Sequence, residues 1–223
     1  LSRNFVGYDR DGRPQTADVR AIVARSTLDV AGDLRQTATS SQAITTSIDA
    51  ISAAVAVGAN GGVAGAGAGT DAINTIAVGV NASIIDSPNV AVAGSIVLDA
   101  SDTSTAKADG DAAAVAAAFG GKISVAIAVG VCLAENQIAN TVRSGIVQST
   151  VSAGTTLSIT ATESAETGSD ANAAAVSLSA GVSLSGGGGR ANDRIAGSST
   201  TEITNSSVTT GGALTVDARS TAT

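Results

Sequence analysis

Ala72-Ile73-Asn74-Thr75-Ile76-Ala77 returns as Ala134-Glu135-Asn136-Gln137-Ile138-Ala139, and again as Ala191-Asn192-Asp193-Arg194-Ile195-Ala196. Eight residues after the inner isoleucine stands another each time, at Ile84, Ile146 and Ile203. An Ile/Val-x-x-Ser step follows, at Ser26, Ser87, Ser149 and Ser206. The glycine of an Ala/Gly-Gly pair then closes each unit, at Gly32, Gly94, Gly154 and Gly212, with spacings of 62, 60 and 58 residues. Landmarks in a fixed order at a fixed period are the mark of stacked units that bury a shared core.

Around these landmarks the sequence alternates apolar and small polar residues. Ile96-Val97-Leu98, Leu157-Ser158-Ile159 and Leu214-Thr215-Val216 open their units. A Ser/Thr/Asp-rich segment such as residues 99–105 follows, and then an apolar run such as residues 51–57 or 113–118. Glycine turns are expected at Gly61-Gly62, at Gly120-Gly121 and at residues 186–189. Period-two alternation, β-branched residues and glycine punctuation predict strands. The Ala-rich residues 112–118 are the one stretch where a short helix competes, since alanine is the best helix former. Residues 51–57 carry Ile51, Ala53, Val55 and Val57 on one face and Ser52, Ala54 and Ala56 on the other. Both faces are apolar or small, which predicts a strand covered on both sides.

The expected fold is therefore all-β: a repetitive β-solenoid, or stacked β-sheet array, with repeats of about 60 residues. Residues 33–94, 95–154 and 155–212 are read as three repeats, 17–32 as the tail of a preceding one and 213–223 as the start of another. Matching residues would lie about 4.8 Å apart in neighbouring strands. Asn74, Asn136 and Asp193 would form one ladder, Ile76, Ile138 and Ile195 a second, and Ile84, Ile146 and Ile203 a third. Residues 1–16 carry two of the three aromatics and read as an atypical joining segment or cap, with Phe5, Val6 and Tyr8 as its apolar anchors.

Composition narrows the function. The chain has no histidine, which removes Ser-His-Asp and Cys-His catalysis and every histidine metal site. The pairs Asp109/Asp111 and Glu163/Glu166 sit in small polar runs and read as solvated faces. A net charge of −7 disfavours nucleic acid, which calls for clustered cations. Asp9-Arg10-Asp11-Gly12 holds half of a calcium-loop pattern, making Asp9 and Asp11 the metal candidates; no other cofactor is expected. Gly186-Gly187-Gly188-Gly189 lacks the Gly-Lys-Ser/Thr of a phosphate loop. Cys132, the single cysteine, lies in an apolar run and reads as a small buried hydrophobe. Residues 112–134 are apolar but Gly-interrupted, and no membrane span is expected there. With 43% hydrophobic residues and a mean hydropathy of +0.30, the chain has enough apolar surface to fold.

Residues 71–84, Asp71-Ala72-Ile73-Asn74-Thr75-Ile76-Ala77-Val78-Gly79-Val80-Asn81-Ala82-Ser83-Ile84, resemble the AVNTINNxTxAxI signature of giant bacterial filamentous, leukotoxin-like surface adhesins. The resemblance covers about residues 17–223 and departs in the third unit, where Asp193-Arg194 stands for Asn-Thr. It implies an extracellular or cell-surface β stalk, exported and without catalytic residues. The expected function is a structural, non-enzymatic repeat segment giving a stiff rod. The alternative is a self-assembling filament subunit joined end to end by strand pairing. Expected partners are further copies or a continuing chain, and another cell surface. The start at Leu1 and the mid-unit finish at Thr223 suggest a slice of something longer.

Overall fold

The computed structural model describes every residue except Arg10, Thr16 and Lys122. Among the described residues the chain is all-β, with stacked parallel sheets. Strands β1 (Ser2–Val6), β2 (Asp18–Ala24) and β3 (Thr27–Val30) come first. Then follow β4 (Leu34–Gly58), β5 (Gly62–Ile76), β6 (Gly79–Ile85) and β7 (Asn89–Val92). The same long-to-short order returns in β8 (Ile96–Gly120), β9 (Ser124–Ile138), β10 (Thr141–Val147) and β11 (Thr150–Ala153). It returns once more in β12 (Leu157–Ser179), β13 (Val182–Ile195), β14 (Ser198–Thr204) and β15 (Ser207–Thr210), and β16 (Leu214–Ala222) closes the series.

Each strand pairs with its counterpart one circuit away. The four parallel sheets run β4-β8-β12-β16, β1-β5-β9-β13, β2-β6-β10-β14 and β3-β7-β11-β15. Leu34, Ile96, Leu157 and Leu214 are register partners across the first of these. Partners lie 57 to 62 residues apart in sequence everywhere except at β1, where Ser2 pairs with Ala72. Six residues separate Ala118 from Val125, but only Ala180 and Gly181 separate their partners Ser179 and Val182, which accounts for the drop from 61 to 57.

Several sequence expectations need correction. The polar and apolar segments of each unit are not two strands but one, of 25, 25 and 23 residues. The strand runs through both without a break, past Gly110 in β8 and Gly168 in β12. Residues 112–118 are strand. Gly186 to Gly189 is not a turn: these residues lie inside β13, paired with Val129, Gly130, Val131 and Cys132. Residues 1–16 are not wholly outside the array. Ser2 to Val6 forms the β1 edge strand on Ala72 to Ile76, because Asn4 and Val6 present the same inward residue types as Asn74 and Ile76. What is inserted is the connection from β1 to β2, where a Tyr8–Pro14 bridge and a Gln15 N–H bond to the Gly7 carbonyl at 2.9 Å draw the chain together.

A recurring corner separates the two short strands. Arg25, Asp86, Gln148 and Asn205 adopt φ of 49°, 51°, 50° and 50°, in the left-handed region. The serine that follows each one bonds the carbonyl two residues back: Ser26 to Ala24, Ser87 to Ile85, Ser149 to Val147 and Ser206 to Thr204. Each serine hydroxyl beyond the first also accepts the serine N–H of the circuit before it. The Ile-x-x-Ser landmark is thus the chemistry of a turn in which a side-chain oxygen holds the chain while it bends.

Candidate functional site: an apolar blade and two buried polar columns

The cross-section has a body and a blade. In the body, Ile84, Val90, Val92, Ile96, Leu98, Ile146, Leu157 and Ile159 form one buried cluster. Ile76, Val78, Val80, Ile138 and Val142 form another. In the blade the far ends of β4, β8 and β12 face the near ends of β5, β9 and β13, and the buried apolar cluster between them is all alanine: Ala64, Ala66, Ala114, Ala116, Ala118, Ala126 and Ala128. The two layers approach so closely that a Cβ on Gly130 would lie 2.8 Å from the Ala174 carbonyl oxygen. Where Gly110 leaves a gap, Cys132 fills it, with its Sγ 2.9 Å from the Gly110 carbonyl and fully buried.

Both outer faces of the blade are apolar and uncovered. On one side Ile51, Val55, Val57, Val115, Phe119, Val176 and Leu178 are exposed, and on the other Val63, Ile127, Val129, Val131, Leu133, Val182 and Leu184. The expectation that residues 51–57 are covered on both sides is therefore wrong, since Ile51 is 82% exposed. The outward residues turn from polar to apolar just past Asp49, Asp111 and Asn172, which are aligned across three strands. Beside the Ile127-Val129-Val131 ridge, Gly65, Gly186 and Gly188 also face out, and an added Cβ at each would meet open space. Glycine weakens a strand and commonly marks the close approach of another backbone. Nothing inside the fold requires it here.

The first polar column is the asparagine ladder. Asn4 Nδ2 donates to Asn74 Oδ1 at 2.9 Å, Asn74 Nδ2 to Asn136 Oδ1 at 3.0 Å, and Asn136 Nδ2 to Asp193 Oδ1 at 2.9 Å. Asn74 and Asn136 are fully buried, and each also donates across the layer, to the Lys107 and Gly168 carbonyls. Beside it Val6, Ile76, Ile138 and Ile195 are register partners, as are Val23, Ile84, Ile146 and Ile203. Ile76, Ile138, Ile84 and Ile146 are fully buried; Ile203, in the last circuit, is 36% exposed.

The second column escaped the sequence reading. Asp102 and Glu163 are register partners and are 1% and 0% exposed. The expectation that Glu163 lies on a solvated face is therefore wrong. Glu163 shares parity with Leu157, Ile159 and Ala161, which are all buried, and that parity was the available signal. Its companion Glu166 does face water, paired with Lys107 at 3.0 Å, and Asp109 and Asp111 face outward too.

The remaining candidates are dispersed. Asp9 Oδ1 accepts the N–H groups of Asp11 and Arg13, each at 2.9 Å, so it organises a turn. The Asp11 carboxylate lies 3.9 Å from Arg13, and both are exposed. Arg10, in the same stretch, lies outside the described residues. Phe5 and Val6 sit in β1 opposite Thr75 and Ile76, and Tyr8 in the loop that follows. Among the described residues no cluster of three or more His, Cys, Asp or Glu gathers as a metal site, and no helix is long and apolar enough to cross a membrane. Compared with protein-family profiles, curated proteins and solved structures, the chain matches none.

Proposed function

We propose that this chain is a non-enzymatic structural segment: a run of repeat units, one per circuit, that builds a stiff β rod. It would belong to an extracellular or cell-surface filamentous protein of the bacterial adhesin type. The observation that carries this reading is the continuous parallel register from circuit to circuit, with hydrogen-bonded side-chain ladders inside it. Such an array transmits load along its stacking axis, and each circuit stabilises its neighbours. In this role the body supplies stiffness and the blade supplies a contact surface. The test is unfolding under axial load: a stiff rod rips circuit by circuit at regular length increments. A single soft, featureless extension defeats the reading.

The blade favours a second role alongside the first, as a subunit that assembles with copies of itself. Each blade face is about 25 Å by 14 Å, from eight residues along three strands. One face then offers about 350 Å² to a partner, under half of the about 800 Å² per partner of a standard interface, so lateral pairing would need the contact to repeat over further circuits. The outward glycines flank the Ile127-Val129-Val131 ridge by one strand spacing, so the ridge of one copy fits the channel of another. Cryo-electron microscopy at micromolar concentration tests this directly. Laterally paired rods that separate on Val129→Ser carry it, and solitary rods in both samples refute it.

A further inference from the structure

Ser40, Asp102, Glu163 and Ser220 occupy one register position across β4, β8, β12 and β16. They share parity with the core residues Leu98 and Ile159. Ser40, Asp102 and Glu163 are 3%, 1% and 0% exposed. Among the described residues, no arginine or lysine lies within ion-pair distance of either carboxylate. Buried charges are otherwise paired or bind a metal.

Each carboxylate uses one oxygen within the protein and leaves the other free. Asp102 Oδ2 accepts from Ser104 Oγ at 2.9 Å and from Asn140 Nδ2 at 2.6 Å. Asn140 is itself held by the Val78 N–H at 2.8 Å. Glu163 Oε2 accepts from Ser220 Oγ. Asp102 Oδ1, Glu163 Oε1 and the Ser40 hydroxyl are buried without a partner. Three orphaned oxygens thus stand in three adjacent strands at the same height. Room is made for the longer acid: the position of Asn140 becomes Gly197 in the next circuit, where any Cβ would collide with the Glu163 carboxylate.

We propose that Asp102 and Glu163 bind a hard divalent cation of the calcium class between neighbouring strands inside the rod. The donors are all oxygen, and two carboxylates balance its charge. The strand spacing of about 4.8 Å is twice a calcium–oxygen distance of about 2.4 Å. Magnesium demands a strict octahedron and keeps its waters, whereas calcium accepts hydroxyl and main-chain oxygens in irregular geometry. Water would complete the shell, since Ser40 lies one strand further off, on the other side of Asp102.

The test loads the full 223-residue chain with calcium chloride, desalts it and measures retained metal by mass spectrometry. Thermal unfolding is recorded in calcium and in EDTA. The expected result is about one calcium per chain and a lower midpoint in EDTA. Asp102→Asn and Glu163→Gln each weaken calcium binding at least about tenfold. A double Asp9→Asn, Asp11→Asn control retains the metal. No retained metal with equal midpoints overturns the proposal. So does a metal-free chain that gains stability on acidification, which would mean that the two acids share a proton. Should neither variant fold, the metal content of the unaltered chain decides.

Discussion

The body and the blade are built from the same strands, yet they are stabilised by different means. β8 passes from Leu98 through Asp102 and Ala108 to Ala116 without a break, always turning its even-numbered residues inward. In the body those residues face Ile, Leu and Val from several strands. In the blade they meet one opposing layer at a distance that admits only small side chains. Burying a large aliphatic side chain contributes about 1.5–3 kcal/mol, and a methyl much less. The body therefore holds most of the hydrophobic stabilisation. The blade depends on continuous ladder hydrogen bonds and on tight fit, with its larger side chains outside.

Substitutions should separate the two regions. Ile138→Asn, in the body, is expected to cost about 2–5 kcal/mol in urea unfolding, through lost packing and an unpaired amide. No loss there would refute the inward ladder. Asn136→Ala should cost about 1–3 kcal/mol, because the Asn74 amide and the Gly168 carbonyl lose a partner inside the protein. In the blade the sign depends on the face. Ala116→Leu overfills the interior and should cost about 1–3 kcal/mol by the same assay. Gly186→Val, on the outside, should raise the stability of the isolated chain by about 0.5–1 kcal/mol, since valine suits a strand and meets open space. A destabilising Gly186→Val would show that the outer surface is already in contact.

Much of this division was legible in the sequence, and where it was not, the reason is physical. The Asn and Ile columns could be read because each recurs at matched spacing with its neighbours. Asp102 and Glu163 were lost because acidic letters in a Ser/Thr run suggest water, although strand parity places them with Leu98 and Ile159. The glycines at 186–189 suggested a turn because glycine is common there, but glycine also serves where backbones pass close together. Ser2 to Val6 was set apart by its aromatic residue and by the inserted loop, while Asn4 and Val6 carried the matching inward pattern. The exposure of Val115 and Phe119 was not readable at all: an apolar strand face does not reveal whether anything covers it.

The asparagine ladder has a sense as well as a position. An amide turned end for end would still fill its slot, but the Lys107 and Gly168 carbonyls, which can only accept, hold the nitrogens of Asn74 and Asn136. Asp193 sets the same direction from the end of the column, because a carboxylate can only accept. Asn136 must therefore turn its nitrogen toward Asp193 and its oxygen toward Asn74, and the same demand passes down to Asn4. Dipoles lined up in this way polarise one another. The single departure from asparagine in the column thus points the same way as the crossing carbonyls, and every rung shares one heading.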